Sequence, residues 1–240
     1  MSNINPSQLG GEAAQSASKY AGYVKWGMII GGLYFFGPGA SIFQYGAYGI
    51  IFFLGMLFYQ QDGMLYACSH PSIPKRPSQN PLTYRSPAER GMEYRTLHIT
   101  TKDGCHLHGW LMTVPGGAKK SKKVPTIIYF HGNAGNLGLR LPMFEDFYFR
   151  LGCNVIAFDY RGYGDSTGKP NEKGLQQDAT ALLNYVHDDL KDFIDPTKII
   201  LFGRSLGGAV ATWLAAQTFR GDSLMNGIRG LIIENTFMSI

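Results

Sequence analysis

The sequence predicts an α/β fold: a mostly parallel sheet that opens with an antiparallel hairpin and is preceded by membrane-spanning helices. Three observations predict it. From residue 125 onward, short unbroken apolar runs alternate with turn residues and stretches of helical spacing, the pattern of strands buried on both faces. The run 199–203 passes abruptly into Gly203-Arg204-Ser205-Leu206-Gly207, and a small-residue helix follows. Residues 26–59 contain no Lys, Arg, Asp or Glu.

The chain divides into a polar leader (1–20), a membrane anchor of one or two helices (21–60), a linker (61–91) and an α/β domain (92–240). The leader is rich in small polar residues and is expected to be disordered. The anchor has two apolar lobes, 21–37 and 42–59, and only Lys25 interrupts the first. About 20 residues of helix cross a bilayer core, so the second lobe suffices, and the first does if Lys25 snorkels. Gly37-Pro38-Gly39 breaks the helix between them. A helical hairpin and a single span with an interfacial partner both remain open; a buried core hairpin is the bland alternative. The leader is too long for a signal peptide. Lys19 and Lys25 precede the apolar region, and Lys75, Arg76, Arg85, Arg90 and Arg95 follow it. That bias places the later side in the cytoplasm, facing the endoplasmic reticulum or plasma membrane.

Net charge is +5 over 240 residues, with charged residues at only 16%. The cations are scattered rather than striped, so nucleic acid is not the expected partner and a membrane is. Cys68, Cys105 and Cys153 have no Cys-x-x-Cys spacing and read as free thiols of a reducing compartment. Cys68, close to the apolar segment, is also a candidate for acylation.

Residues 70–87, with five prolines and no periodicity, read as the linker, running along the membrane face. Residues 94–100 alternate, Thr101-Lys102-Asp103-Gly104 turns, and 106–114 alternate again, which makes a hairpin. His106 and His108 share one strand face; they are read as strand surface rather than a metal pair, and no metal or cofactor is predicted. Lys119, Lys120, Lys122 and Lys123 form a solvated turn or, given the anchor, a contact for anionic headgroups. Strand 125–130 ends in His131-Gly132-Asn133-Ala134-Gly135-Asn136, and a helix is expected over 141–151. Strand 154–158 ends in Asp159-Tyr160-Arg161-Gly162-Tyr163-Gly164-Asp165-Ser166. A second helix is expected over 171–190, with Asp178 facing outward. Strand 198–203 precedes Ser205, and 229–235 is the last strand.

Acyl transfer needs a nucleophile, a base, and donors aimed at the oxyanion. A strand–turn–helix with glycines either side strains the central residue and exposes it, which makes Ser205 the candidate nucleophile. The turn aims the backbone N–H of Leu206 at the same place. The second donor is expected from the loop after the third strand, with the N–H of Asn133 as the choice and Gly132 allowing close approach.

These four stretches (His131 to Asn136, Asp159 to Ser166, Gly203 to Gly208, and Glu234-Asn235-Thr236-Phe237), in this order, resemble the α/β-hydrolase superfamily. More narrowly, the chain is similar to membrane-anchored bud-emergence-type proteins of fungi and their abhydrolase-domain relatives. The resemblance covers about residues 92–240. It implies a serine hydrolase acting on esters or thioesters, with acylated protein or lipid as substrate and depalmitoylation among the activities of relatives. It also implies that Asp159 and Arg161 shape the sheet edge rather than catalyse.

One departure matters. The family order is serine, then acid, then histidine. The six histidines are His70, His98, His106, His108, His131 and His187, and all precede Ser205. Glu234, at the end of the sixth strand, is the available candidate for the acid. The expectation is therefore the N-terminal portion of a longer hydrolase, with little turnover in these residues alone and a raw apolar edge on the sixth strand. The competing expectation is a membrane-tethered scaffold on a catalytically dead hydrolase fold.

Overall fold

The computed structural model describes residues 41–68, 72–218 and 227–236. The chain forms two compact units, one ending at Gln61 and one from Asp62 onward. The first described element is a helix, α1 (Ile42–Leu65), none of whose residues is buried. Its 24 residues give a length of about 36 Å, against a bilayer core of about 30 Å. Among the described residues it is the one helix long and apolar enough to cross a membrane. It runs past the apolar lobe 42–59 into Gln60, Gln61 and Asp62. The first lobe, 21–37, and the Gly37-Pro38-Gly39 break lie outside the described residues.

The second unit is built on six strands: β1 (Tyr94–Thr100), β2 (His106–Met112), β3 (Thr126–Phe130), β4 (Asn154–Phe158), β5 (Ile199–Arg204) and β6 (Ile228–Glu234). Their spatial order is β1-β2-β4-β3-β5-β6. The pairs β1–β2 and β2–β4 are antiparallel, and β4–β3, β3–β5 and β5–β6 are parallel. The expected hairpin is present, with His98 opposite His108. Four further helices lie along this unit: α2 (Gly117–Ser121), α3 (Leu141–Glu145), α4 (Glu172–Asp188) and α5 (Leu206–Thr218).

Strand alternation sorts the core into two layers. Ile128 and Phe130 join Leu175, Leu182, Val210 and Leu214 on the side of α4 and α5. Ile127 and Tyr129 join Phe144, Phe147 and Phe202 on the side of α3. Burial on both faces is why β3, β4 and β5 read as unbroken apolar runs. From β3 the chain moves to β4 on one side, then crosses to β5 on the other. The order reverses at β3, so the connections after β3 and β5 leave the strands' C-terminal ends in opposite directions.

Several expectations need correcting. The helix over 141–151 is α-helical only to Glu145 and continues as a π-turn, Asp146–Arg150, which crowds Phe147 and Tyr148 into the core. Asp178 does not face outward. It is fully buried, and its carboxylate accepts from the Arg161 backbone N–H and Nε at 2.9 Å each. A carboxylate can interrupt an apolar stripe when a guanidinium meets it. The lysine loop is in part helical, forming α2, and Lys198 Nζ reaches the Lys122 carbonyl. It leads into the N-terminal end of β3, the opposite end of the sheet from Ser205. The stretch 72–91 is no free linker. Pro77, Asn80 and Pro87 are buried, two 3-10 turns form at Pro77–Gln79 and Pro87–Arg90, and side-chain amides lock it to the loop after β3.

The apolar edge is present. Leu231, Ile232 and Ile233 of β6 are 38%, 48% and 52% exposed.

Candidate active site

At the end of β5 the chain turns into α5 through Ser205, whose φ is +53°. An L-residue there is strained, and its neighbours must be bare. A side chain at Gly203 would overlap the Gly207 carbonyl, and one at Gly207 would overlap the Phe130 carbonyl. Hydrogen bonds over-determine the strained residue. Ser205 N–H donates to the Glu234 carbonyl at 3.0 Å, and the Ser205 carbonyl accepts from Gly208 N–H at 2.9 Å and from Thr236 Oγ1 at 2.6 Å. β6 therefore holds the turn through its main chain.

Leu206 follows as the first residue of α5, so its N–H belongs to the unpaired donors of a helix N-terminus, which favours negative charge. The loop after β3 comes alongside. A Cβ added to Gly132 would lie 3.5 Å from Ser205 Cβ and 3.4 Å from the Arg204 carbonyl oxygen. Gly132 and the Arg204-Ser205 turn are thus direct neighbours.

Glu234 arrives differently. Its carbonyl serves Ser205, but its carboxylate lies 3.8 Å from Arg204 Nε, and Oε2 is buried without a hydrogen bond. No histidine meets it among the described residues. His131, the one histidine in the loop beside Ser205, is fully buried. Its Nδ1 lies 2.8 Å from the Gly132 carbonyl and its Nε2 is 3.5 Å from Tyr160 N–H. Burial pushes its pKa down to about 3, so it is neutral. Both ring nitrogens are engaged with backbone, and it packs on Tyr160 and Tyr163 at 4.3 and 5.2 Å. It is a support for the loop and not a base for Ser205.

Asp159 and Arg161 hold the edge of the site. Asp159 is fully buried, accepts from Leu137 N–H at 3.0 Å, and burial raises its carboxyl to about 8. Its second oxygen has no partner. Arg161 ties the β1–β2 turn to α4 by reaching both Asp103 and Asp178 at 2.8 Å. Hydrogen bonds from Arg161 and Thr101 hold Asp103 down at about 2. A groove of about 470 Å³ between β1, α4 and α5, lined by residues including Lys173, Tyr185 and Trp213, holds none of these residues. No cluster of three or more His, Cys, Asp or Glu fit to hold a metal ion occurs among the described residues. Cys68, Cys105 and Cys153 are free thiols.

Sequence reasoning missed the roles of two asparagine side chains. Asn133 Oδ1 accepts from Ala67 N–H at 2.9 Å and from the Tyr163 hydroxyl at 2.6 Å, while its Nδ2 donates to the Leu65 carbonyl. Asn136 and Asn80 exchange amide hydrogen bonds at 2.8 and 3.1 Å, and Asn136 Nδ2 also reaches the Pro74 carbonyl. The signal was there: two asparagines flanking small residues after a buried strand. Their partners lie too far off in sequence to be guessed.

Comparison with known proteins agrees with this architecture. Residues 125–239 match the family described as alpha/beta hydrolase fold. Protein bem46 of Schizosaccharomyces pombe is 38% identical over 78% of this chain and 57% of its own length. The alpha/beta hydrolase domain-containing protein WAV2 of Arabidopsis thaliana is 34% identical over 83% of this chain and 59% of its own. The uncharacterized membrane protein YNL320W of Saccharomyces cerevisiae is 37% identical over 65% and 50%. The chain spans about half the length of the curated relatives it matches. Among solved structures, an alpha-beta hydrolase from Vibrio vulnificus is 27% identical with a TM-score of 0.51, covering 65% of this chain and 51% of that one. With a strained serine between parallel strand and helix, a glycine loop alongside it, and these similarities, the chain has the α/β-hydrolase fold.

Proposed function

We propose that this chain supplies the nucleophile and the oxyanion hole of a membrane-anchored serine hydrolase that cleaves acyl esters or thioesters. The observation that carries the reading is the φ of +53° at Ser205, kept by glycines on either side and by three hydrogen bonds to its own peptide groups. Strain held this firmly at one half-buried serine is a cost that stability alone does not explain. In the proposed reaction Ser205 Oγ attacks the acyl carbon and its proton passes to a general base. The carbonyl oxygen becomes an oxyanion facing the N–H groups of Leu206 and Asn133. Collapse expels the alcohol or thiol, and water then releases the acid. Each oxyanion donor contributes about 3 kcal/mol to such a step.

Among the described residues no histidine hydrogen-bonds Ser205: His131 is engaged with backbone, and no histidine follows Ser205 in the sequence. In this reading the base, and the acid unless Glu234 serves, come from the part of the relatives' length that this chain does not span. The 240 residues alone are expected to turn over slowly, because loss of a triad member costs on the order of 10⁴-fold or more. The exposed apolar helix α1 supports membrane anchoring, with the catalytic unit on the cytoplasmic side of the endoplasmic reticulum or plasma membrane. It favours a lipid or an acylated protein as substrate, with depalmitoylation the finer reading. The test is covalent labelling of the intact protein by a fluorophosphonate. Labelling of wild type that is lost in Ser205→Ala supports the reading; equal labelling of both ends it. The locked His131 also favours a second reading, a membrane-tethered binding protein on the same fold, and the same experiment separates the two.

A further inference from the structure

We propose that the Asn133 side chain is a positioning residue: it sets the oxyanion loop against the stretch of chain that leaves α1. The inference rests on reading Ser205 as nucleophile and the Asn133 N–H as an oxyanion donor. Its observations are independent of that reading. Every hydrogen-bonding group of the Asn133 side chain that reaches a partner reaches outside its own loop. Oδ1 accepts from the Tyr163 hydroxyl and from Ala67 N–H, and Nδ2 donates to the Leu65 carbonyl. Leu65 is the last residue of α1, where a helix carbonyl has no partner within its own helix. Asn133 supplies that partner across 68 residues of sequence.

The same loop is gripped at its far end. Asn136 bonds Asn80 and the Pro74 carbonyl. Both asparagines of the loop therefore hold a collar formed by residues 65–67 and 74–80, and both do so beside Gly132, which abuts Ser205. Tyr163, the other partner of Asn133, is fully buried and packs edge-on to His131 beneath the loop. A peptide N–H that must meet a developing charge to within a few tenths of an ångström needs such bracing. A side chain held by three groups from two separate segments provides it. The position of the oxyanion donor is thereby coupled to the end of the apolar helix.

Two variants break the clamp without touching the loop's own sequence: Tyr163→Phe removes the hydroxyl, and Ala67→Pro removes the N–H. The intact chain is placed in lipid nanodiscs, and amide hydrogen exchange is followed in residues 131–136. Each variant is expected to speed exchange there about fivefold to tenfold, the scale of one lost hydrogen bond, while β3 and β5 keep wild-type exchange. Asn133→Asp, which keeps the acceptor but not the donor, is expected to fall between wild type and Asn133→Ala. Where wild type is labelled at Ser205 by a fluorophosphonate, the variants are expected to lower the maximal inactivation rate and leave the half-saturating probe concentration unchanged. Wild-type loop exchange in both clamp variants, or faster exchange with an unaltered inactivation rate, overturns the proposal. Faster loop exchange in a protein whose Ser205 never reacts leaves the clamp standing and removes the nucleophile reading instead.

Discussion

At the scale of single residues, the site is a set of compromises between burial and charge. Burial of the Asp159 carboxyl outweighs the hydrogen bonds it accepts, so its neutral form is favoured up to about pH 8. Its folded pKa stands above its unfolded value, so the stability it contributes is fully present below about pH 4 and is lost as pH rises toward 8. Asp159→Asn keeps an acceptor for Leu137 N–H and removes the titration. The variant is expected to gain on wild type steadily between pH 5 and pH 8, read as the difference in urea midpoint at each pH. A constant difference would mean that Asp159 does not titrate in this window. His131 works in the opposite sense. Its folded pKa is depressed, so its contribution is present above pH 6.5 and is lost as pH falls toward 3.

At the scale of elements, strand ends and helix starts carry the chemistry. The Asn171 side chain caps α4 by accepting from Gly174 N–H at 2.7 Å, and the helix then presents Leu175, Leu182 and Val186 to the sheet. Asn171→Ala is expected to cost about 1 kcal/mol, seen as a lower urea midpoint with an unchanged slope. The cap explains why α4 starts one residue later than the spacing of apolar residues suggests. Arg161 explains why Asp178 can lie on its inner face. The turn at Ser205 was legible because its glycines, its serine and its small-residue helix are contiguous in sequence. The π-turn over Asp146–Arg150 was not, because its apolar spacing differs from an α-helix by a single residue over one turn.

At the scale of the whole molecule, the sheet has a bare edge: among the described residues β6 pairs with β5 alone and leaves Leu231, Ile232 and Ile233 substantially exposed. Such an edge invites pairing with other chains. Ile233→Lys in the 240-residue chain is expected to reduce self-association, measured by light scattering in detergent at fixed concentration. Unchanged scattering would place the sticky surface elsewhere, with the bare α1 as the next candidate.

The sequence by itself determined the fold class, the strand that carries Ser205, the glycines that let it turn, and an apolar segment long enough for a bilayer. All of these are local: periodicity, turn chemistry and run length are written within a few residues of one another. Only the tertiary structure decided that Gly132 lies beside Ser205, that His131 is buried and engaged on both nitrogens, and that Asp178 answers Arg161. It also turned the proline-rich stretch after the apolar helix from a tether into a collar, through amides on Asn80, Asn133 and Asn136. The physical reason is that a hydrogen bond or a desolvated charge is defined by its partner. Here those partners stand up to 68 residues away, where no pattern in the chain announces them.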